Sequence, residues 1–507
     1  MKRYKLKMHG WLTARKSVQA VSLAVFIITL LLSKNAVVPA AVTSSLVHIS
    51  PLVMLSELFS SKIFLSGSIL ALVILLSSLL IGRAWCGWLC PMGTILDIFY
   101  FSNIRSKKEP PQNLRKTKYG LLIIILISAI LGNLTLLVFD PVTIFIRSTA
   151  LTILPVSDQG IYFLERLLMK IPFMSQAVFK FDAWLRPNVF PVESASFQFA
   201  VLFGFFFIAI ILLNLLAERF WCRYLCPLGA LLGLGSKLSL VQRRVDDTCV
   251  ACGLCNWDCP TGTIDPEQGY RSDPAECTLC MNCTGRCAKH SISFAPKWSP
   301  AKLQTYDPGR RLFLGSLGIS ALSTALFRVD WVKQHPNSFL LRPPGVLDQD
   351  AFLSTCVRCG VCAQVCPTQA IQEDFSLSGI EGIATPILVP RNGYCDYACN
   401  ACGQNCPVSA IPALSLDEKR LTKIGSATID HNRCIAWSDH ENCIVCEEMC
   451  PLPEKAITLE KQSIVQSDGS TLDLLLPVVD RAMCIGCGIC ENKCPVAGDA
   501  AIRVYVS

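Results

Sequence analysis

Cys249-Val-Ala-Cys252-Gly-Leu-Cys255-Asn-Trp-Asp-Cys259-Pro260 is followed by Cys277-Thr-Leu-Cys280-Met-Asn-Cys283-Thr-Gly-Arg-Cys287. Two such runs in tandem have the spacing of a bacterial two-cluster ferredoxin, in which three cysteines of one run wrap a cubane and the fourth reaches the neighbouring one. Cys249, Cys252, Cys255 and Cys287 are expected to hold one [4Fe–4S] cluster, and Cys277, Cys280, Cys283 and Cys259 a second. Structural zinc takes four ligands without this run, so zinc fits less well. Pro260 turns the chain after the first run, whereas Ala288 follows the second.

Four further runs lie downstream: Cys356/Cys359/Cys362/Cys366, Cys395/Cys399/Cys402/Cys406, Cys434/Cys443/Cys446/Cys450 and Cys484/Cys487/Cys490/Cys494. Each ends on a cysteine followed by proline. Sixteen thiols suffice for four more [4Fe–4S] clusters, six in all. The fourth cysteine of the first run could go to the last run, with the two middle runs nested between them, or the runs could pair sequentially. Short apolar pieces follow the runs at Ala370-Ile371, Ala410-Ile411, Ala456–Leu459 and Ala501–Val504, and suit the small strands of ferredoxin-like halves.

Upstream the composition changes. The chain has 507 residues, of which 52% are hydrophobic and 17% charged, and its mean hydropathy is +0.44. This excludes a disordered or wholly polar protein. The 28 cysteines sit in metal-ligand spacings rather than in a disulfide framework. Apolar segments at 17–32 with its flanks, 63–81, 119–139 and 197–217 are expected to span a membrane. The last three contain no Asp, Glu, Lys or Arg. Basic residues crowd the N-terminus, the loop 82–118 and the stretch after 218, which predicts a cytoplasmic location for all three. The loop 140–196 is expected outside, along the membrane surface. Net charge is +8, but residues after 330 carry 13 Lys/Arg against 20 Asp/Glu. The basic residues flank apolar segments, so membrane topology explains them better than nucleic acid does.

The spans carry a parallel repeat. Arg83-Ala-Trp85-Cys86-Gly-Trp-Leu-Cys90-Pro91-Met-Gly93 follows the second, and Arg219-Phe-Trp221-Cys222-Arg-Tyr-Leu-Cys226-Pro227-Leu-Gly229 the fourth. Together Cys86, Cys90, Cys222 and Cys226 offer four soft thiolates: a seventh metal site, redox-active thiols, a transient copper site or buried structural cysteines. No span contains histidine and no Cys-x-x-Cys-His occurs, so haem is not indicated. No Gly-x-Gly-x-x-Gly follows a strand, so neither is flavin. His48, Glu57 and Asp140 are the polar candidates near outer span ends for a catalytic proton acceptor. Each has an ordinary alternative, a surface His, a surface Glu and a turn Asp before Pro141.

Pro308-Gly309-Arg310-Arg311-Leu312-Phe313-Leu314 introduces a mildly apolar run to Val329. The twin arginines resemble a Tat export signal, and the run would form a fifth span. Tat carries folded proteins, so clusters could be built before the domain met an oxidising compartment. The expected fold is an all-α membrane bundle, four spans as two parallel hairpin repeats plus a fifth, with two α+β ferredoxin-like iron–sulfur domains. The expected domains are 1–240 (membrane), 241–304 (cytoplasmic two-cluster module), 305–330 (signal or anchor) and 331–507 (periplasmic four-cluster domain).

These motifs bear a family likeness. Residues up to about 300, with four spans, two W-C-x-x-x-C-P motifs and a two-cluster module, resemble NapH and its relatives MauN, NosR and FixG. Residues from about 305, with RRLFL, Cys356-Val-Arg-Cys359-Gly-Val-Cys362, the Cys434-x8-Cys443 run and Cys484-Ile-Gly-Cys487-Gly, resemble NapG and MauM, the exported four-cluster ferredoxins. The chain reads as a fusion of the two. The resemblance implies an inner-membrane quinol dehydrogenase that draws on the quinone pool and passes electrons to a periplasmic cytochrome or a nitrate-reductase-type enzyme, with other membrane subunits as further partners. FixG alone implies a copper reductase or maturation factor instead.

Overall fold

A computed structural model describes residues 10–33, 39–62, 66–100, 110–171, 173–190, 195–296, 314–322, 337–346, 348–465 and 471–506. Arg310 and Arg311 of the export-like signal lie outside the described residues. The chain divides into two compact units, one of residues 1–32, 41–149 and 201–325, the other of 33–40, 150–200 and 326–507.

In the first unit the helix Gly10–Ser33 runs 24 residues, about 36 Å at the α-helical rise. Its inner face places Phe26 edge-on to Phe145 at 5.9 Å, while Val18, Val21, Val25 and Ile28 stay exposed on the other face. The remaining spans differ from expectation. The helices are Ile69–Ile81, Lys116–Ile130 and Ala200–Leu212. Their thirteen to fifteen residues cover about 20–22 Å, short of the ~30 Å of a bilayer core. The cause is visible at the third segment, where Gly132 takes φ 84° and the chain tightens into a 3-10 turn, Thr135–Phe139. Among the described residues one helix is long and apolar enough to cross a membrane alone. A second qualifies if Ala40–His48 and Pro51–Ser61, bent by 94°, count as one span. The bend falls at Pro51, which has no N–H for the helical ladder.

The two repeats fold alike. An apolar helix ends, a turn carries the first cysteine (Ala84–Trp88; Trp221–Leu225), and the second cysteine is extended at the N-cap of a proline-initiated helix (Pro91–Ile98; Pro227–Ser236). Proline suits that first position because its missing N–H would have no partner there anyway. Repeat-equivalent residues also touch upstream, where the Ser50 hydroxyl donates to Asp140 Oδ1 at 2.8 Å.

The ferredoxin module belongs to this unit. Its ends are joined by antiparallel pairing of Val241–Val245 with Ile292–Pro296, and Ile264–Asp265 pairs with Arg271–Ser272. In each run the residues before and after the second cysteine are left-handed: Ala251 and Gly253, Leu279 and Met281. Arg358 and Gly360, and Gly486 and Gly488, repeat this in the first and last downstream runs. Left-handed Leu, Met and Arg are costly outliers. Alternating handedness curls successive N–H groups toward one concavity, the geometry of an anion-holding nest.

In the second unit the helices Leu154–Leu168 and Ser175–Asn188 are tied by Arg186, which ion-pairs with Asp158 (2.6 Å), Asp182 (2.8 Å) and Glu165 (3.4 Å). Tyr162, Phe163, Phe179 and Trp184 remain exposed. Residues 195–199 join the cysteine-rich part: Ser196 N donates to Gln369 Oε1 (2.8 Å), Gln198 N to Gln372 Oε1 (3.0 Å), and Phe199 packs on Phe375 at 4.3 Å. The strands here pair antiparallel: Ile371–Glu373 with Pro386–Leu388, Ser426–Ile429 with Ile502–Tyr505, and Ile457–Val465 with Thr471–Val479. Ala410-Ile411 is not a strand. Pro412 follows it, and Ile411 N turns to Cys406 Sγ at 3.4 Å.

Candidate metal centres

Four cavities are each lined by four cysteines from two runs. One has Cys249, Cys252, Cys255 and Cys287, and another has Cys259, Cys277, Cys280 and Cys283. In the second unit a cavity has Cys434, Cys443, Cys446 and Cys494, and another has Cys450, Cys484, Cys487 and Cys490. The third and fourth downstream runs therefore exchange their last cysteines. The first two do the same: Cys406 interacts by charge with Cys356 and Cys359, and Cys366 with Cys395, Cys399 and Cys402. The arrangement is sequential, and the nested alternative is not found. Nesting needs the first run to meet the last, whereas strand 371–373 turns back on 386–388 and keeps the first run beside the second.

The donor set fits an iron–sulfur cluster. No Asp, Glu or His lines any of the four cavities, and all-thiolate sets select soft metals. Among the described residues no three His, Cys, Asp or Glu side chains close on one point as a single ion requires. The Cys-x-x-Cys-x-x-Cys-x-x-x-Cys spacing that supplies most of these thiols is that of iron–sulfur proteins rather than of zinc sites. Burial pushes the thiols of Cys277 and Cys446 up to about 12. It takes Cys395 and Cys487 to about 11, with Lys419 opposing the rise at both. Lys419 is itself 2% exposed. It thus stands between the second and fourth downstream runs, where Cys395 N also donates to Cys487 O at 2.8 Å. By these contacts Cys356/Cys359/Cys362/Cys406 neighbours Cys395/Cys399/Cys402/Cys366, which neighbours Cys484/Cys487/Cys490/Cys450, which neighbours Cys434/Cys443/Cys446/Cys494.

The repeat thiols also converge. Cys86, Cys90, Cys222 and Cys226 are all buried and within charge-interaction range of one another. Buried cations ring them. Arg219 makes a two-pronged ion pair with Asp97, 2.6 Å on each prong. Arg83 reaches Glu276 Oε2 (3.2 Å), which also receives Lys118 Nζ (2.6 Å). Burial opposes a charge on Glu276, but Lys118 and Arg83 outweigh it and hold the carboxyl below the usual range. Sequence reading missed these groups. Arg83 and Arg219 open the two repeats at equivalent positions, and that was the available signal; nothing local marks Lys118, Asp97 or Glu276.

The three proton-acceptor candidates are all buried: His48 at 4%, Glu57 at 3% and Asp140 at 0% exposure. Neither His48 nor Glu57 is a surface residue. Asp140 is a helix N-cap, accepting from Val142 N (3.1 Å) and Thr143 N (2.9 Å) as well as from Ser50.

Two family profiles match, each described as a 4Fe-4S binding domain: one at residues 63–109 and 199–245, the other at 352–372 and 477–497. The first falls on both repeats. Over 196 residues the chain is 36% identical to the methylamine utilization ferredoxin-type protein MauM of Paracoccus denitrificans, covering 38% of this chain and 79% of that protein. The chain belongs to the MauM/NapG ferredoxin-type family. Ferredoxin-type protein NapG of Escherichia coli is 32% identical over 204 residues (39% of this chain, 85% of that protein). NapG of Haemophilus influenzae is 38% identical over 168 residues (32% and 58%). No solved structure matches. As a MauM/NapG-type protein the chain is an iron–sulfur electron carrier. The matched relatives account for about two fifths of it.

Proposed function

We propose that the chain is a membrane-embedded quinol dehydrogenase in which a NapH-like membrane part and a NapG-like exported part are fused. The observation that carries this reading is the gathering of cysteines into sets of four, wholly buried at the two repeats, on a scaffold with outward apolar helix faces. Ile69, Val73, Leu76 and Leu80, and Val201, Phe205, Ile208 and Leu212, are exposed at helical spacing. Stripes of that size are stable against lipid, not water. Exposed Tyr162, Phe163 and Trp184 suit the lipid–water interface. The loop 150–200 and the C-terminal domain share one compact unit, which supports placing both on the outer side. Broken helices are acceptable in a membrane where the interrupted backbone is buried in protein.

Six cysteine sets would hold [4Fe–4S] clusters: the two of the module, and the four of the second unit with the pairing above. The repeat thiols would hold a seventh metal. A bound cluster supplies one-electron transfer at a potential set by local charge and solvent access. The protein's part is to hold these thiols in sets of four and to place cations beside them. Quinol oxidation also needs a proton acceptor. Glu57 and His48, both buried, would fill that role, while Asp140 is held by its cap. The second unit would hand electrons to a periplasmic cytochrome or reductase.

The test is anaerobic purification in detergent, iron counting, and EPR during reduction by a menaquinol analogue. Cluster signals that appear on adding the quinol are expected. A full iron complement that quinol leaves oxidised would overturn the quinol reading.

A further inference from the structure

Residues Ala275–Leu279 of the ferredoxin module, which include Cys277 and lead into Cys280, are seated directly on the two repeat motifs. Arg83 Nη1 donates to Ala275 O (2.8 Å), and Trp88 Nε1 to Leu279 O (3.0 Å). The backbones approach closely enough to require glycine: a Cβ on Gly87 would stand 2.2 Å from the Thr278 carbonyl oxygen, and one on Gly233 would stand 2.8 Å from that of Ala275. Arg219 donates to Cys86 O at 3.3 Å. Its guanidinium is within charge-interaction range of both Cys222 and Cys280. Arg83 relates in the same way to Cys86 and Cys226 while bonded to Glu276, the neighbour of Cys277.

Resting on the reading that the repeat thiols hold metal, we propose that Ala275–Leu279 is an electron junction. A single electron passes across it between the Cys86/Cys90/Cys222/Cys226 site and the Cys259/Cys277/Cys280/Cys283 site. One site is oxidised and the other reduced by one electron, and no bond forms or breaks. Arg83 and Arg219 are positioning residues that fix the spacing, and Gly87 permits it. The module is then wired to the membrane part through its second run, and the Cys249/Cys252/Cys255/Cys287 site, with Cys252 exposed, is left open to solvent.

The full chain is examined in detergent, reduced with dithionite, by iron counting and by EPR relaxation. Cys86→Ser/Cys222→Ser is expected to lose about four irons. The Cys259/Cys277/Cys280/Cys283 signal should then relax more slowly, because its paramagnetic neighbour has gone. Gly87→Ala keeps every thiol and is expected to keep the iron while weakening the same interaction. Trp88→Phe, which removes one hydrogen bond and little volume, should weaken it too and guards against a misfolded Gly87 variant. If the double cysteine variant keeps all its iron, the repeat site holds no cluster and the underlying reading fails. If it loses the iron but the relaxation of the second-run signal is unchanged, the metal reading stands and the junction is wrong.

Discussion

Asp140 and Glu57 are both buried carboxylic acids, but their surroundings assign them different work. Asp140 answers two helix N–H groups and a serine hydroxyl. Asp140→Asn keeps an acceptor for those donors and is expected to leave quinol-driven cluster reduction within about twofold, while Asp140→Ala removes the cap at a cost of about 1–2 kcal/mol. Glu57→Gln should slow quinol-driven reduction by about 10²-fold, the usual loss of a general base, with iron content unchanged. Stopped-flow reduction and thermal unfolding in detergent check both. Equal loss in Asp140→Asn would return that residue to the catalytic set. Lys419 supports a different residue-scale expectation. A buried cation between Cys395 and Cys487 favours the more negative, reduced state of whatever those thiols bind. Lys419→Met should lower the midpoint potentials of the sites containing Cys395 and Cys487 and leave the Cys434 site unmoved, as read by EPR-monitored redox titration.

At the scale of elements, the long hairpin Ile457–Val465/Thr471–Val479 does more than fill space. Leu474 and Leu476 on its inner face pack with Cys434, Ala436 and Ala501. Leu476→Ala leaves a cavity at a typical cost of 2–5 kcal/mol. It should loosen the Cys434/Cys443/Cys446/Cys494 site first, giving a lower Tm and preferential loss of that cluster's signal. If iron is lost evenly from all sites, the hairpin has no special tie to this one. Elements are also where the sequence was least legible. The cysteine runs could be read because ligand spacing is local. The strand after Cys450 could be read for the same reason, since its apolar residues follow the cysteine directly. Helix ends could not. Hydropathy over 119–139 reports average composition and is blind to Gly132, which takes a left-handed turn inside the segment. Pairing of the runs could not be read either, because it depends on which strands fold back. Spacing alone allowed both the nested and the sequential arrangement, and the turn-back of 371–373 on 386–388 decided between them.

At the scale of the whole molecule, charge and packing bear on the same question of sidedness. The basic loops lie beside the repeat motifs, and residues after 330 are acidic. The loop that emerges between the third and fourth apolar segments bonds to Gln369 and Gln372, just past the first cysteine run of the acidic part. Long domains can cross a membrane regardless of charge, so this packing is the firmer guide. An acidic domain on the outer side would meet a basic cytochrome with complementary potential, which raises the encounter rate more than the affinity and weakens with salt. The placement is directly testable in spheroplasts of the expressing cell. Protease added outside should degrade residues 337–506 and spare an epitope tag inserted within residues 101–109, whereas detergent should expose both. Protection of both segments in intact spheroplasts would put the four-cluster domain in the cytoplasm. The electron route would then have to end there, and a periplasmic acceptor would be ruled out.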